Sequence, residues 1–203
     1  MRELVFWDVD TQVDFMHPEG KLYVRGAENI IGNIQRLTSF AVAHGILIVA
    51  SVDAHEETDP EFREYPPHCL AGTAGQKKIE RTLLPGHYVV PNRKISLPQN
   101  LAYPQIIVEK QATDVFTNPN VEELLVHMGR DREIVLYGVV TEICVDQAAR
   151  GLSHRGYRVH LVRDAIQHLD AAKGRATRAE VERRGGRLFT TDEVLAGAPA
   201  KVA

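Results

Sequence analysis

The sequence predicts an α/β protein, a doubly wound and mostly parallel sheet with helices on both faces. Six short, nearly continuous apolar runs, at 4–7, 46–50, 106–108, 134–137, 159–162 and 187–189, read as strands covered on both sides. Helical stretches alternate with them, and repeated β-α-β order in one sheet means parallel strands with ligands beyond their carboxyl ends. A length of 203 residues suits a single domain, 1–203, large enough to bury a proper core.

After the first strand, Ala27, Ile30, Ile31, Ile34, Leu37 and Ala41 fall on one face at helical spacing, predicting a helix over 27–44 that Gly45 stops. The second strand runs into a stretch, about 53–99, rich in Pro, Gly and charge, with one short helical piece near 75–83. Long irregular segments in compact domains usually carry function, so this excursion is read as functional. Beyond the strand at 106–108, Val121, Leu124, Leu125 and Met128 mark a helix ended by Gly129. The strand at 134–137 turns through Gly138-Val139-Val140 into a helix over 141–154 with Ala148 and Leu152 inward. A last helix at 171–184 stops at Gly185-Gly186 before the final short strand.

A net charge of −3, from 24 basic and 27 acidic residues, excludes a strongly basic nucleic-acid or anionic-membrane binder. Two cysteines make no disulfide framework, and no signal-peptide core or bilayer-length apolar run is present. A reducing cytoplasm is the expected location, and a small molecule the expected partner.

Four strand ends carry reactive side chains. Cys144 follows the turn after 134–137, where the unpaired N–H groups and positive dipole of a helix start favour a thiolate or an oxyanion. Alone, it reads equally as a small buried residue. The first strand ends in Asp8, Asp10 and Asp14; Asp10 is the candidate acid-base group, while Asp8 and Asp14 are expected to cap the following loop. Asp53 and His55, two apart on an extended segment, point the same way, and His68 closes a set fit for a divalent cation, with Glu61 on the same loop. The alternative is a solvated acidic loop with incidental histidines. Lys110 ends its strand where it either holds the cysteine as thiolate or pairs with Asp10. In a parallel sheet all four ends share one edge, which raises the weight of each.

These motifs resemble the isochorismatase-like cysteine hydrolases, and within them the nicotinamidase and pyrazinamidase group. The resemblance rests on Asp10-Thr11-Gln12-Val13-Asp14-Phe15, Asp53-Ala54-His55, Tyr65-Pro66-Pro67-His68-Cys69-Leu70-Ala71-Gly72-Thr73, Lys110, Gly138-Val139-Val140-Thr141-Glu142-Ile143-Cys144 and Thr190-Thr191-Asp192-Glu193-Val194-Leu195, in order along nearly the whole chain. It implies the isochorismatase-like hydrolase fold, a catalytic triad of Asp10, Lys110 and Cys144, an oxyanion hole from the N–H groups of Val140 and Cys144, and a cis peptide at Val139-Val140. It further implies one divalent metal ion on Asp53, His55, His68 and Glu61, zinc first, with manganese or iron as alternatives, and Asp59 as another possible donor. Phe15 and Tyr65 map to the aromatic walls of the substrate site, the latter standing where tryptophan is usual.

The implied activity is hydrolysis of nicotinamide to nicotinate and ammonia, a step of NAD salvage, by a homo-oligomer. The nearest alternative is a cysteine hydrolase for another small amide, an N-carbamoyl compound or ureidoacrylate. An isochorismatase proper needs neither Cys144 nor the metal loop. A reading from another class treats Asp8-Val9-Asp10-Thr11 as the nucleophile motif of a haloacid dehalogenase-like phosphatase, with Asp8 attacking; it leaves the excursion and the Cys144 turn unexplained.

Overall fold

The computed structural model describes residues 3–197. Of the expected unit 1–203, residues 1–2 and 198–203 lie outside the described residues.

Seven strands form one sheet in the order β3-β4-β2-β1-β5-β6-β7, and every pairing is parallel. They are β1 Glu3–Val9, β2 Leu47–Asp53, β3 Tyr88–Val90, β4 Gln105–Lys110, β5 Arg132–Val139, β6 Arg158–Gln167 and β7 Leu188–Phe189. The helices are α1 Val13–Met16, α2 Ile31–Ala43, α3 Val121–Met128, α4 Asp146–His154, α5 Ala171–Arg183 and α6 Thr191–Leu195. β1 lies between β2 and β5, so the chain winds outward from it in both directions. Right-handed crossovers leaving in opposite directions carry α2 and α4 to opposite faces, and β1 becomes the switch point where such sheets bind ligands. This is the predicted fold class.

The six predicted strands are present, most of them longer than their apolar runs. β3 was not predicted. It is three residues inside the excursion, an edge strand paired only with β4, too short for its Tyr88-Val89-Val90 to stand out. The expected helical piece at 75–83 reduces to a 3-10 turn, Glu80–Thr82. The helix expected over 27–44 splits into a 3-10 turn, Ala27–Ile30, and α2, which buries Ile31, Ile34, Leu37 and Ala41. At the other end Thr190 caps α6, with Glu193 returning the bond.

The turn after β5 departs most from expectation. Instead of entering an α-helix directly, the chain makes a π-helical turn, Thr141–Val145, before α4 begins at Asp146. Gly138 has φ +117° and approaches β1 so closely that a Cβ there would lie 2.1 Å from the Val9 carbonyl oxygen, so no larger residue fits. The Val139-Val140 bond is cis, as the resemblance implies. Among the described residues no helix is long and apolar enough to cross a membrane.

Candidate active site

Register gathers the site. Val9 pairs with both Ser51 and Gly138, and Asp53 pairs with Lys110, so the residues just beyond these strand ends meet at one edge. Asp10, Asp53, Lys110 and Cys144 are all buried there, with 1%, 2%, 1% and 8% exposure. Lys110 is the hub. Its Nζ lies 2.9 Å from Asp10 Oδ2, donates to Asp53 Oδ1, and sits 3.9 Å from Cys144 Sγ. Ser51 Oγ donates to Asp10 Oδ1 at 2.6 Å, fixing the carboxylate that neighbours the thiol.

Burial decides the charge states. It pushes the Cys144 thiol well above its ordinary range; Lys110 opposes this, while Asp10 and Asp53 add to it. Burial and the two carboxylates thus act against ionisation of Cys144, and Lys110 acts for it. Asp10 is also raised, by burial first and by Asp53, against the pull of Lys110. Burial disfavours the charge on Lys110, yet Asp10, Asp53 and Cys144 hold its pKa well above normal. The site thus has a buried thiol beside a carboxylate of raised proton affinity, with the Lys110 ammonium between them.

The other oxygen of Asp53 faces a second cluster. Asp53 Oδ2 lies 3.7 Å from both His55 Nε2 and His68 Nε2, and Glu61 Oε1 lies 4.0 and 3.9 Å from the same two nitrogens. These gaps are too long for hydrogen bonds and suit atoms arranged around a shared cation. His55 Nε2 is buried without a partner, an orphan that a metal would satisfy. Each ring is already oriented from behind: His55 Nδ1 lies 2.9 Å from Asp59 Oδ2, and His68 Nδ1 lies 2.8 Å from the Pro66 carbonyl. Asp53, His55 and His68 thus fit a divalent ion, with Glu61 placed to join them. Glu61 is itself raised, by burial and by Asp53, the mark of carboxylates crowded without enough positive charge.

Asp59 is placed differently from expectation. Rather than pointing at the cluster as a donor, it takes the His55 Nδ1–H with one oxygen and the Glu61 backbone N–H, at 2.9 Å, with the other. It orients ligands instead of being one. Asp59→Ala is expected to weaken zinc binding about 10- to 100-fold in a competition titration with a chromophoric chelator, with all ligands intact; unchanged affinity would contradict this role.

Between the two clusters opens a pocket of about 100 Å³. Phe15, Tyr65, Val24, Ile143 and Leu169 make its apolar wall, and Cys144, Asp53, Glu61 and His68 its reactive end. Phe15 and Tyr65 also stand against His68, with ring centroids 5.3 and 6.5 Å away.

The isochorismatase-domain family model matches residues 4–99 and 97–193, nearly the whole chain. The chain belongs to the isochorismatase family. It is 32% identical over 165 residues to an uncharacterized isochorismatase family protein, PncA, of Bacillus subtilis, covering 78% of this chain and 82% of that one. The pyrazinamidase of Pyrococcus horikoshii, solved in complex with zinc, is 27% identical, with a TM-score of 0.75 over 93% of this chain and 99% of that one. The N-carbamoylsarcosine amidase of Thermoplasma acidophilum, 23% identical over 94% of this chain and 98% of that one, has a TM-score of 0.76 and shows the shared fold.

Within this isochorismatase-family fold, Asp8 is no nucleophile and no loop cap. It is fully buried and tied to Lys78 and Thr11, out of reach of any substrate, which removes the phosphatase reading. Asp14 does anchor loops, accepting from Lys21 N–H and Cys69 N–H at 3.0 and 2.7 Å; Gly75 leaves room for its carboxylate. Cys69 is fully buried and pushed far up by burial, so it stays an inert thiol under the loop. Two residues that reading the sequence left without roles hold the site. Ser51 binds Asp10, and Gln12 grips the Asp53 backbone, donating to its carbonyl at 2.8 Å and accepting its N–H at 2.6 Å. Gln12 belongs to the Asp10-to-Phe15 motif, and its neutral amide is the available signal for a backbone clamp.

Proposed function

We propose that this protein is a metal-containing amidohydrolase that cleaves a small aromatic carboxamide, converting nicotinamide to nicotinate and ammonia through a thioester on Cys144. The observation that carries the reading is the division of Asp53. One oxygen holds Lys110 beside the nucleophile and the other faces His55 and His68, so a cation site and a thiol stand a fixed distance apart across a small apolar pocket. A ring with a basic nitrogen at one end and an amide at the other offers one group to each side of that pocket.

Phe15 and Tyr65 hold the ring, and Asp53, His55, His68 and Glu61 would hold the metal. A divalent ion there, zinc by its His and carboxylate donors with manganese or iron as alternatives, would supply Lewis acidity for a basic ring nitrogen. Asp10 accepts the Cys144 proton as sulfur adds to the amide carbon. Burial raises the proton affinity of Asp10, which favours its taking that proton. The oxyanion is received by the N–H groups of Val140 and Cys144; the Val140 carbonyl is meanwhile occupied by Ile143 and Val145 N–H at 3.0 and 3.1 Å, which fixes the turn. Asp10 returns the proton to the departing nitrogen, ammonia leaves, and a thioester remains. Asp10 then takes a proton from water, hydroxide adds to the thioester, and collapse frees the acid as the leaving Cys144 sulfur takes the proton back from Asp10.

An ammonia-release panel tests this. Nicotinamide and pyrazinamide are expected to be turned over in preference to ureidoacrylate and N-carbamoylsarcosine. Robust turnover of a carbamoyl compound with none of either ring carboxamide would overturn the substrate assignment.

A further inference from the structure

Lys78 is a second buried lysine, and the reaction above has no use for it. It belongs to the excursion, is 6% exposed, and its ammonium donates to Asp8 Oδ2 at 2.5 Å, Thr11 Oγ1 at 2.5 Å and Thr82 Oγ1 at 2.7 Å. Thr11 Oγ1 in turn donates to Asp8 Oδ1 at 2.9 Å. The same stretch is stitched to the end of β1 through the backbone: Ile79 N–H reaches the Thr11 carbonyl at 3.0 Å, and Val13 N–H reaches the Lys77 carbonyl at 2.9 Å.

Asp10 lies between Asp8 and Thr11, the two β1-end residues this network grips. Its φ is +51°, a left-handed conformation that a non-glycine residue keeps only where its surroundings impose it. On one side its N–H is bonded to the Ser51 carbonyl at 3.0 Å, and on the other its carbonyl takes the Gln12 N–H at 2.8 Å. Side chains grip the turn from Ser51 on Asp10, from Gln12 on the Asp53 backbone and, beneath, from Thr11 and the ion pair. Asp8 and Lys78 do not line the pocket, and the turn they hold through Thr11 carries Asp10.

We propose that the Asp8–Lys78 ion pair, acting through Thr11, is a positioning device that holds Asp10 in its left-handed turn with its carboxylate against Lys110 and Cys144. This rests on Asp10 being the proton acceptor for Cys144. The competing role is stability alone, and ion-pair physics separates the two. Replacing a buried pair by apolar residues of similar volume is often neutral or stabilising, whereas removing one partner strands a charge. The double replacement can therefore return stability without returning the grip on Thr11.

The experiment compares Lys78→Met, the double variant Asp8→Leu with Lys78→Met, and Thr11→Val, in which the ion pair survives but its link to the turn is lost. Urea midpoints, kcat and KM for nicotinamide, and the iodoacetamide rate at Cys144 read by mass spectrometry are measured for each. Lys78→Met is expected to lose stability. The double variant should regain it, yet keep kcat about 10- to 100-fold down with KM little changed and a Cys144 alkylation rate that differs from the wild type's. Thr11→Val should show the same kinetic loss near wild-type stability. Wild-type kcat and alkylation in either the folded double variant or Thr11→Val would overturn the proposal and leave the pair a structural one. Asp10→Asn serves as the control: if it leaves Cys144 alkylation unchanged, the error lies in the base assigned to Asp10, and the positioning role falls with it.

Discussion

Cys144→Ala is expected to release ammonia from nicotinamide about 10⁴-fold more slowly than the wild type while remaining folded. Fold and chemistry separate cleanly at this position. The replacement deletes one sulfur at the end of the pocket, whereas the π-helical turn is held by backbone bonds from Ile143 and Val145 to the Val140 carbonyl, and these stay. Lys110 keeps both carboxylates, so no buried charge is stranded. What is lost is the thiol that lines the pocket, while Asp10 and Asp53 stay engaged by Lys110 and Asp8 stays sealed under Lys78. Steady-state ammonia release and circular dichroism check the two halves. A variant within tenfold of the wild-type rate would mean that water or another side chain attacks the amide, and the thioester route would be wrong.

Lys110→Met is expected to be the most destabilising single change in the site. It leaves Asp10 and Asp53 buried without their shared cation, and breaking a buried pair from one side costs about 3–5 kcal/mol. For a chain of this size that corresponds to a fall in Tm of roughly 6–20 °C. The pH dependence follows from the directions of the shifts in the metal-free protein. Lys110 is raised, so its contribution is complete below the ordinary lysine value and disappears only as pH climbs past the raised one. Asp53 is lowered, chiefly by Lys110 and the two histidines against burial, so its contribution is present above the ordinary carboxylate value and fades as pH falls through the acid range. Asp10, raised, has the opposite sign: its ionisation costs stability above the usual carboxylate range. Urea denaturation at neutral pH should therefore show the full gap between wild type and Lys110→Met. The gap should narrow in acid, where the stranded carboxylates of the variant take up protons. Equal stability at neutral pH would contradict the hub role given to Lys110.

The reactive residues were legible because each follows an apolar run, and parallel strands bring such ends together whatever their separation in sequence. Asp10, Asp53, Lys110 and Cys144 come from four different strand ends, and reading those ends as one edge was sufficient to group them. What supports them was harder to read. Asp59 has the same chemistry as a ligand, and only the direction of its two oxygens, one to His55 and one to the Glu61 N–H, reveals that it stands behind the site. Lys78 follows Gln76 and Lys77 in a polar stretch and looks like a solvated residue; its burial depends on Asp8, seventy positions earlier. β3 has too few residues for a period to show. The charge balance at Cys144 was hidden for another reason: a helix start and a lysine are local signals, whereas the desolvation that opposes them is set by the whole fold.

The divided carboxylate of Asp53 makes the two halves of the site thermodynamically linked ligands of one group. Lys110 and any cation held by His55 and His68 are like charges on opposite oxygens, so each weakens the other's hold, and reciprocity requires the two penalties to be equal. Loading the cation site must then lower the proton affinity of Lys110 and of the thiol beside it, moving Cys144 back toward the range where it can ionise. In that sense a cation held by His55 and His68 would act as an effector of the Cys144 thiol.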